Sequence, residues 1–183
     1  MTIRIAAVGD VHLGVGSAGM LRPGFETLPE CADVLLLAGD LTRHGTAEEA
    51  RVVAGELAGT PVPVIAVLGN HDYHAEQPEA VTEILEEAGV RVLESAGTVV
   101  EIDGCRVGVA GTKGFGGGFA GHSLEVFGEP EMKAFARTAA ACADGLRAAL
   151  DGLRDAGCDL RIALTHYAPI ADTVVVRPDP VSV

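Results

Sequence analysis

Basic residues are scarce in this chain: 13 Lys and Arg stand against 26 Asp and Glu over 183 residues, a formal net charge of −13. Such a field repels polyphosphate backbones and anionic membranes unless bound metal reverses it locally, so general nucleic-acid binding is not expected. Long apolar runs are missing as well. The longest, Val34 to Ala38 and Val62 to Leu68, fall far short of the roughly 18 residues that cross a bilayer, and no membrane role is expected. The four cysteines, Cys31, Cys105, Cys142 and Cys158, are scattered without C-x-x-C spacing, and no basic segment followed by a long apolar stretch opens the chain. This reads as a reduced, cytoplasmic protein. Neither a repeat nor a long linker interrupts residues 1–183, so one domain is expected. What is present is a hydrophobic content of 48%, enough for a sizeable core.

Ile3 to Val8 reads as a first strand, followed by a Gly- and Pro-containing loop through Pro29 and an all-apolar second strand, Val34 to Ala38. Continuous Val/Leu runs suit strands covered on both faces. Thr46 with Glu49 three residues on forms a capping-box pattern, opening a helix with Ala50, Val53, Ala54 and Leu57 on one face. Val62 to Leu68 is the third strand. Pro78 opens a second helix carrying Val81, Ile84, Leu85 and Ala88, closed by Gly89. This alternation implies parallel pairing. The pattern then changes to short strands at Val90 to Leu93, Thr98 to Ile102 and Arg106 to Ala110, the last two joined by the hairpin signal Asp103-Gly104. A second, mostly antiparallel sheet is expected. Gly111 to Gly121 is a Gly-rich loop, Glu129 to about Ala156 is helical, and Leu160 to Leu164 returns as a strand.

Polar clusters stand where the apolar runs stop: Gly9-Asp10-Val11-His12, Gly39-Asp40, Gly69-Asn70-His71-Asp72 and Thr165-His166-Tyr167-Ala168-Pro169. Singly, each is a turn or cap signal, because short polar side chains and Gly commonly end strands by bonding local backbone. Jointly and in this order they resemble the signature of the calcineurin-like metallophosphoesterase family: D-x-H, G-D, G-N-H-D/E, a lone H, then G-H-x-H. The first four blocks are here and the fifth is not. The resemblance implies an α/β fold, a two-sheet sandwich flanked by helices, and the expectation is that it is C-terminally incomplete, truncated after Val183, with an exposed sheet edge open to self-association.

The activity implied is hydrolysis of a phosphomonoester or phosphodiester, with a small phosphate ester as substrate. That reaction needs neutralised phosphoryl oxygens, a hydroxide nucleophile near neutral pH and in-line alignment, all of which a pair of divalent ions supplies. Carboxylate, imidazole and amide donors suit Mn, Fe or Zn better than Ca. By the resemblance, Asp10 and His12 bind the first ion, Asp40 bridges both, and Asn70 with His166 binds the second. His71 is then the catalytic imidazole, general acid or charge stabiliser, and Asp72 beside it holds its tautomer and raises its pKa. The alternative is a non-catalytic domain of the same fold that serves as a binding or assembly module, or a site completed by a second chain.

Arg43 and His44 follow Asp40 closely enough to touch substrate phosphate, or are solvated loop residues ahead of Thr46. His74 reads as a surface residue, and His122 lacks the second His that would make it a substitute fifth block. The run Gly114-Phe115-Gly116-Gly117-Gly118-Phe119 is no P-loop, since no Lys-Ser/Thr follows. It is either a lid near the cleft, to which Lys113 lends positive charge, or a plain connection.

Overall fold

The computed structural model describes residues 2–119 and 121–174. In chain order its elements are β1 (Ile5–Val8), α1 (Arg22–Glu26), α2 (Leu28–Cys31), β2 (Val34–Ala38), α3 (Ala47–Leu57), β3 (Val64–Val67), α4 (Pro78–Glu87), β4 (Arg91–Val92), β5 (Ala96–Ile102), β6 (Cys105–Thr112), β7 (Gly118–Phe119), β8 (His122–Ser123), α5 (Pro130–Asp155) and β9 (Leu160–Thr165). A parallel sheet in the order β1-β2-β3-β4 lies against a mixed sheet in the order β5-β6-β9.

The two-residue period of a strand explains the layering. From β2 and β3, Leu35, Leu37, Val64 and Ala66 pack with Ala50, Val53 and Leu57 of α3 and Val81 and Leu85 of α4. The alternate residues, Val34, Leu36, Ile65 and Val67, meet Val100, Val107, Val109 and Leu164 of the second sheet. On that sheet's far side Ala110 and Cys158 pack with Leu146, Ala149, Leu150 and Leu153. The order is therefore helix, sheet, sheet, helix, the two-sheet α/β arrangement expected.

Four details differ from the sequence expectations. The segment before Pro29 is helical rather than a plain loop: Pro stands in the first turn of both α1 and α2, where its missing N–H is harmless. Glu56 on α3 ties that segment down, accepting from the N–H groups of Gly19, Leu21 (2.7 Å) and Arg22 (2.8 Å). The strand after Gly89 joins the first sheet, with Arg91 and Val92 paired parallel to Ile65 and Ala66. The second sheet is antiparallel only between β5 and β6, since β9 pairs parallel with β6. A parallel neighbour needs a long crossover, and the 26-residue α5 supplies it. Within the Gly-rich segment, β7 and β8 form a small antiparallel pair.

Thr46 caps α3 by accepting from the Glu49 N–H (3.2 Å), while the Glu49 carboxylate turns to His44 instead of closing the box. Strand β1 is a sheet edge, with Ile5 41% and Val8 37% exposed. The part of the tail past Val174, where an open edge is expected from the sequence, lies outside the described residues.

Candidate metal centre

Beyond their last residues, β1 and β2 keep running side by side. The Asp10 N–H donates to the Gly39 carbonyl (3.0 Å), His12 to Asp40 (2.9 Å) and Leu13 to Leu41 (3.0 Å). Asp10, His12 and Asp40 all take left-handed backbone, with φ of 56°, 45° and 52°. Such conformations cost about 1–3 kcal/mol each for a non-glycine residue and persist where surroundings over-determine them. Here the surroundings are fixed by Asp72, which is fully buried. Its carboxylate accepts from the N–H groups of Leu41 (3.2 Å), Thr42 (2.8 Å) and Gly69 (2.8 Å) and from the Thr42 hydroxyl (2.6 Å). One buried anion thus clamps the loop after β2 to the loop after β3.

Two glycines are required by close approach. A Cβ on Gly69 would strike the backbone nitrogen and carboxylate of Asp40. At Gly39, where φ is +84°, a Cβ would lie 2.7 Å from the His166 ring.

Asp40 sits at the centre with its side chain 5% exposed. Its Oδ1 accepts from the His71 N–H (2.8 Å) and lies 3.4 Å from His166 Nε2; its Oδ2 lies 3.6 Å from His12 Nε2 and 3.9 Å from His71 Nε2. Asp10 Oδ1 is 3.8 Å from His12 Nε2, and Asn70 Oδ1 is 3.0 Å from His166 Nε2. The residues expected from the sequence to act together, Asp10, His12, Asp40, Asn70, His71 and His166, do come together.

Their donor chemistry fits divalent metal. His166 Nδ1 lies 2.8 Å from the Ala38 carbonyl and His71 Nδ1 2.8 Å from the Arg43 carbonyl. A carbonyl only accepts, so each Nδ1 carries the proton and each neutral ring presents an Nε2 lone pair. For His166 that lone pair faces the Asp40 carboxylate and the Asn70 amide oxygen, three acceptors with no proton among them, which a cation satisfies. Separations of 3.0–3.8 Å between these donors are those of ligands each about 2.0–2.2 Å from a shared ion. Among the described residues, metal-competent atoms cluster in two groups within 4.8 Å, His12 with Asp40 and His71, and Asp10 with Asp40 and His166. Asp40 belongs to both.

The partition differs from the one the resemblance implies, because His71 falls inside a donor group and Asp10 stands with His166. Asp72 also differs: the Arg43 carbonyl, not Asp72, holds the His71 tautomer, since the Asp72 oxygens are taken by four donors of the loops. Arg43 and His44 are exposed. The His44 ring is committed to Glu49 (2.9 Å). Among the described residues the Arg43 guanidinium has no ion-pair partner, and it passes beside Gly14. His74, expected on the surface, is exposed, and its ring also lies 4.3 Å from that of His71.

Sequence reading missed the aromatic neighbours of the cluster. Tyr73 shares one 3₁₀ turn, His71–Tyr73, with the imidazole, and Tyr167 meets His166 edge-on at 5.4 Å. Burial, reinforced by Glu94, Glu79 and Asp72, pushes the Tyr73 phenol up to about 12, so it stays a proton donor at neutral pH. Their only signal was adjacency to the polar clusters.

Fold and site together define an α/β domain with one buried carboxylate shared by two metal-spaced donor groups at the carboxyl ends of its strands. The family model for calcineurin-like phosphoesterases matches residues 3–178, and the chain belongs to that family. Among curated relatives, it is 37% identical over 95 residues to a protein named probable cyclic nucleotide phosphodiesterase from Synechococcus sp., covering 46% of this chain and 35% of that one. It is 37% identical over 97 residues to a symmetrical bis(5'-nucleosyl)-tetraphosphatase from Burkholderia mallei, covering 52% and 30%. The match thus spans about a third of the length of these relatives. Among solved structures, TT1561 of Thermus thermophilus superposes with a TM-score of 0.58 at 22% identity over 94% of this chain and 72% of that one. The phosphopantetheinyl hydrolase of Mycobacterium tuberculosis superposes at 0.56 with 17% identity, over 90% and 68%. These two likenesses establish the fold.

Proposed function

We propose that residues 1–183 form one domain of a metal-dependent phosphoesterase, acting on a phosphomonoester or phosphodiester, with two divalent ions, Mn, Fe or Zn, held by Asp10, His12, Asp40, Asn70 and His166. The observation that carries this reading is the sharing of Asp40 between two donor groups, which is what a bridging carboxylate requires. The curated relatives, one named a phosphodiesterase and one a tetraphosphatase, support the reaction class. When bound, such ions neutralise phosphoryl oxygens and acidify a water.

The protein's own contribution is orientation and proton handling. Asp40 is held by the His71 N–H, and the Ala38 carbonyl holds His166 in the tautomer that frees Nε2. His71, oriented by the Arg43 carbonyl, carries its transferable proton on Nε2 when charged and hands it to the leaving-group oxygen. Asp72 acts by positioning both loops. Arg43 is the exposed cation available for a substrate phosphate, whereas His44 is occupied by Glu49. The cysteines among the described residues are all free thiols, which suits a reducing cytoplasm.

The test is Asp40→Asn. Metal-dependent turnover of a chromogenic phosphate ester should vanish, together with bound manganese measured by elemental analysis, from about two ions per chain in the parent. Unchanged hydrolysis would overturn the assignment. A second reading, a binding module of the same fold, draws on the exposed edge strand β1. Absence of bound metal alongside a defined self-associated species would favour it.

A further inference from the structure

Lys113 is one of only two lysines in the chain, the other being Lys133. Its ammonium lies 4.8 Å from the ring centroid of Tyr73, 5.1 Å from Phe115 and 5.6 Å from Tyr167. Among the described residues no carboxylate stands within ion-pair distance of it, and its hydrogen bond is to the Gly114 carbonyl at 3.3 Å. Ring faces attract an ammonium through their quadrupole. Unlike a carboxylate, they do so without cancelling its charge. In a chain with 26 acidic residues, a cation kept half-buried and unneutralised is available to an incoming anion.

Its location follows from its neighbours. Tyr73 lies in the same turn as His71, and Tyr167 follows His166. The Lys113 carbonyl accepts from the Tyr167 N–H (3.0 Å), its own N–H donates to Glu94 Oε2 (3.3 Å), and the Thr112 hydroxyl donates to Glu94 Oε1 (2.8 Å). The Phe115 ring is in turn backed by Phe135 of α5 at 4.8 Å. The root of the Gly-rich segment is therefore fixed against the loop that carries His166, and the ammonium stands between two residues that adjoin the donor cluster.

We infer that Lys113, held over Tyr73, Phe115 and Tyr167, receives a second anionic group of the substrate, so that the site prefers esters bearing a phosphate beyond the one cleaved. This rests on the phosphoesterase reading above. A charge-assisted contact of about 1.5–3 kcal/mol corresponds to on the order of 10- to 100-fold in affinity.

The chain contains two tyrosines and no tryptophan, and both tyrosines are under Lys113, so tyrosine emission reports on this spot. Chelator-treated and manganese-loaded protein should be titrated with pyrophosphate and with orthophosphate. Pyrophosphate is expected to change the emission at a concentration about 10-fold or more below orthophosphate. Lys113→Met should raise its half-saturation on the order of 10- to 100-fold, and Lys113→Arg should stay within a few fold of the parent. In turnover, the kcat/KM preference for a nucleoside 3',5'-bisphosphate over the 5'-monophosphate should collapse toward one in Lys113→Met, through KM. Identical titrations of parent and Lys113→Met, or equal weakening of both anions, would overturn the inference and leave Lys113 a structural fastener. If no ester is turned over by the manganese-loaded parent, the phosphoesterase reading falls, while the tyrosine titration still decides the role of Lys113.

Discussion

The two sheets contribute unequally to the candidate centre. The first delivers Asp10, His12, Asp40, Asn70 and His71 from the ends of three successive strands, whereas the second adds His166 and, beside it, Lys113. Their construction differs in the same sense. Strands β2 and β3 are buried almost throughout, and the loops that follow them are cross-tied by Asp72. Half of the residues of β9 are exposed, and the β6 exit leads into a Gly-rich segment. Five of the candidate donors thus come from the half cross-tied by Asp72, while His166 is held from across by the Ala38 carbonyl.

The largest expected effect is at the clamp. Asp72→Ala removes the acceptor for three backbone N–H groups and one hydroxyl in a fully buried place, and each stranded donor costs about 1–3 kcal/mol. Denaturant unfolding should show a loss of about 3 kcal/mol or more; a loss under about 1 kcal/mol would mean the loops hold themselves. Next comes a matched pair of glycines. Gly69→Ala drives a methyl into Asp40, while Gly97→Ala on β5 meets only the flexible Leu153 side chain at 3.3 Å. The first should strip bound manganese, and the second should keep it with about 1–3 kcal/mol of destabilisation. Equal metal contents would erase the contrast between the sheets. His71→Ala sharpens it differently: retained metal with turnover reduced on the order of 100-fold or more marks a catalytic imidazole, and lost metal marks a ligand of the His12 and Asp40 group.

Much of this was legible in the sequence because it is periodic or local. The apolar runs of β2 and β3, the Thr46 cap and the Asp103-Gly104 hairpin each follow from a short window, and three of the four polar clusters mark strand ends that a parallel sheet gathers on one side, the fourth following β9 of the second sheet. What depended on distant partners was not legible. The start of α1 is held by Glu56, some 34 to 37 residues away, and α2 by Arg4; β4 joins the first sheet because β3 offers it an edge; and β9 lies parallel because α5 carries the chain back across. At the site, the adjacency of His71 and Asp72 suggested a dyad. In a 3₁₀ turn consecutive side chains diverge, and the buried carboxylate serves the loops instead.

The smallest effect concerns acid, and it again separates the halves. Two buried carboxylates of α3 brace the first half: Glu56 anchors the segment before α1, and Glu49 holds His44. Burial by itself would raise the Glu56 carboxyl, but three backbone N–H bonds and Arg22 outweigh it and bring it below its ordinary value of 4.5; at Glu49, burial is outweighed by His44 and Thr46 in the same direction. With the folded value below the unfolded one, the unfolded chain binds more protons between the two. This stabilisation is therefore complete above pH 4.5 and is lost as pH falls through the folded value. Urea midpoints for the parent and Glu56→Gln, taken from roughly pH 6 down to pH 3, should converge as the solution is acidified. A gap that stays constant would show that the Glu56 carboxyl titrates alike in the folded and unfolded chain. Acid sensitivity would then reside elsewhere, with Glu49 the other carboxylate of α3 to replace.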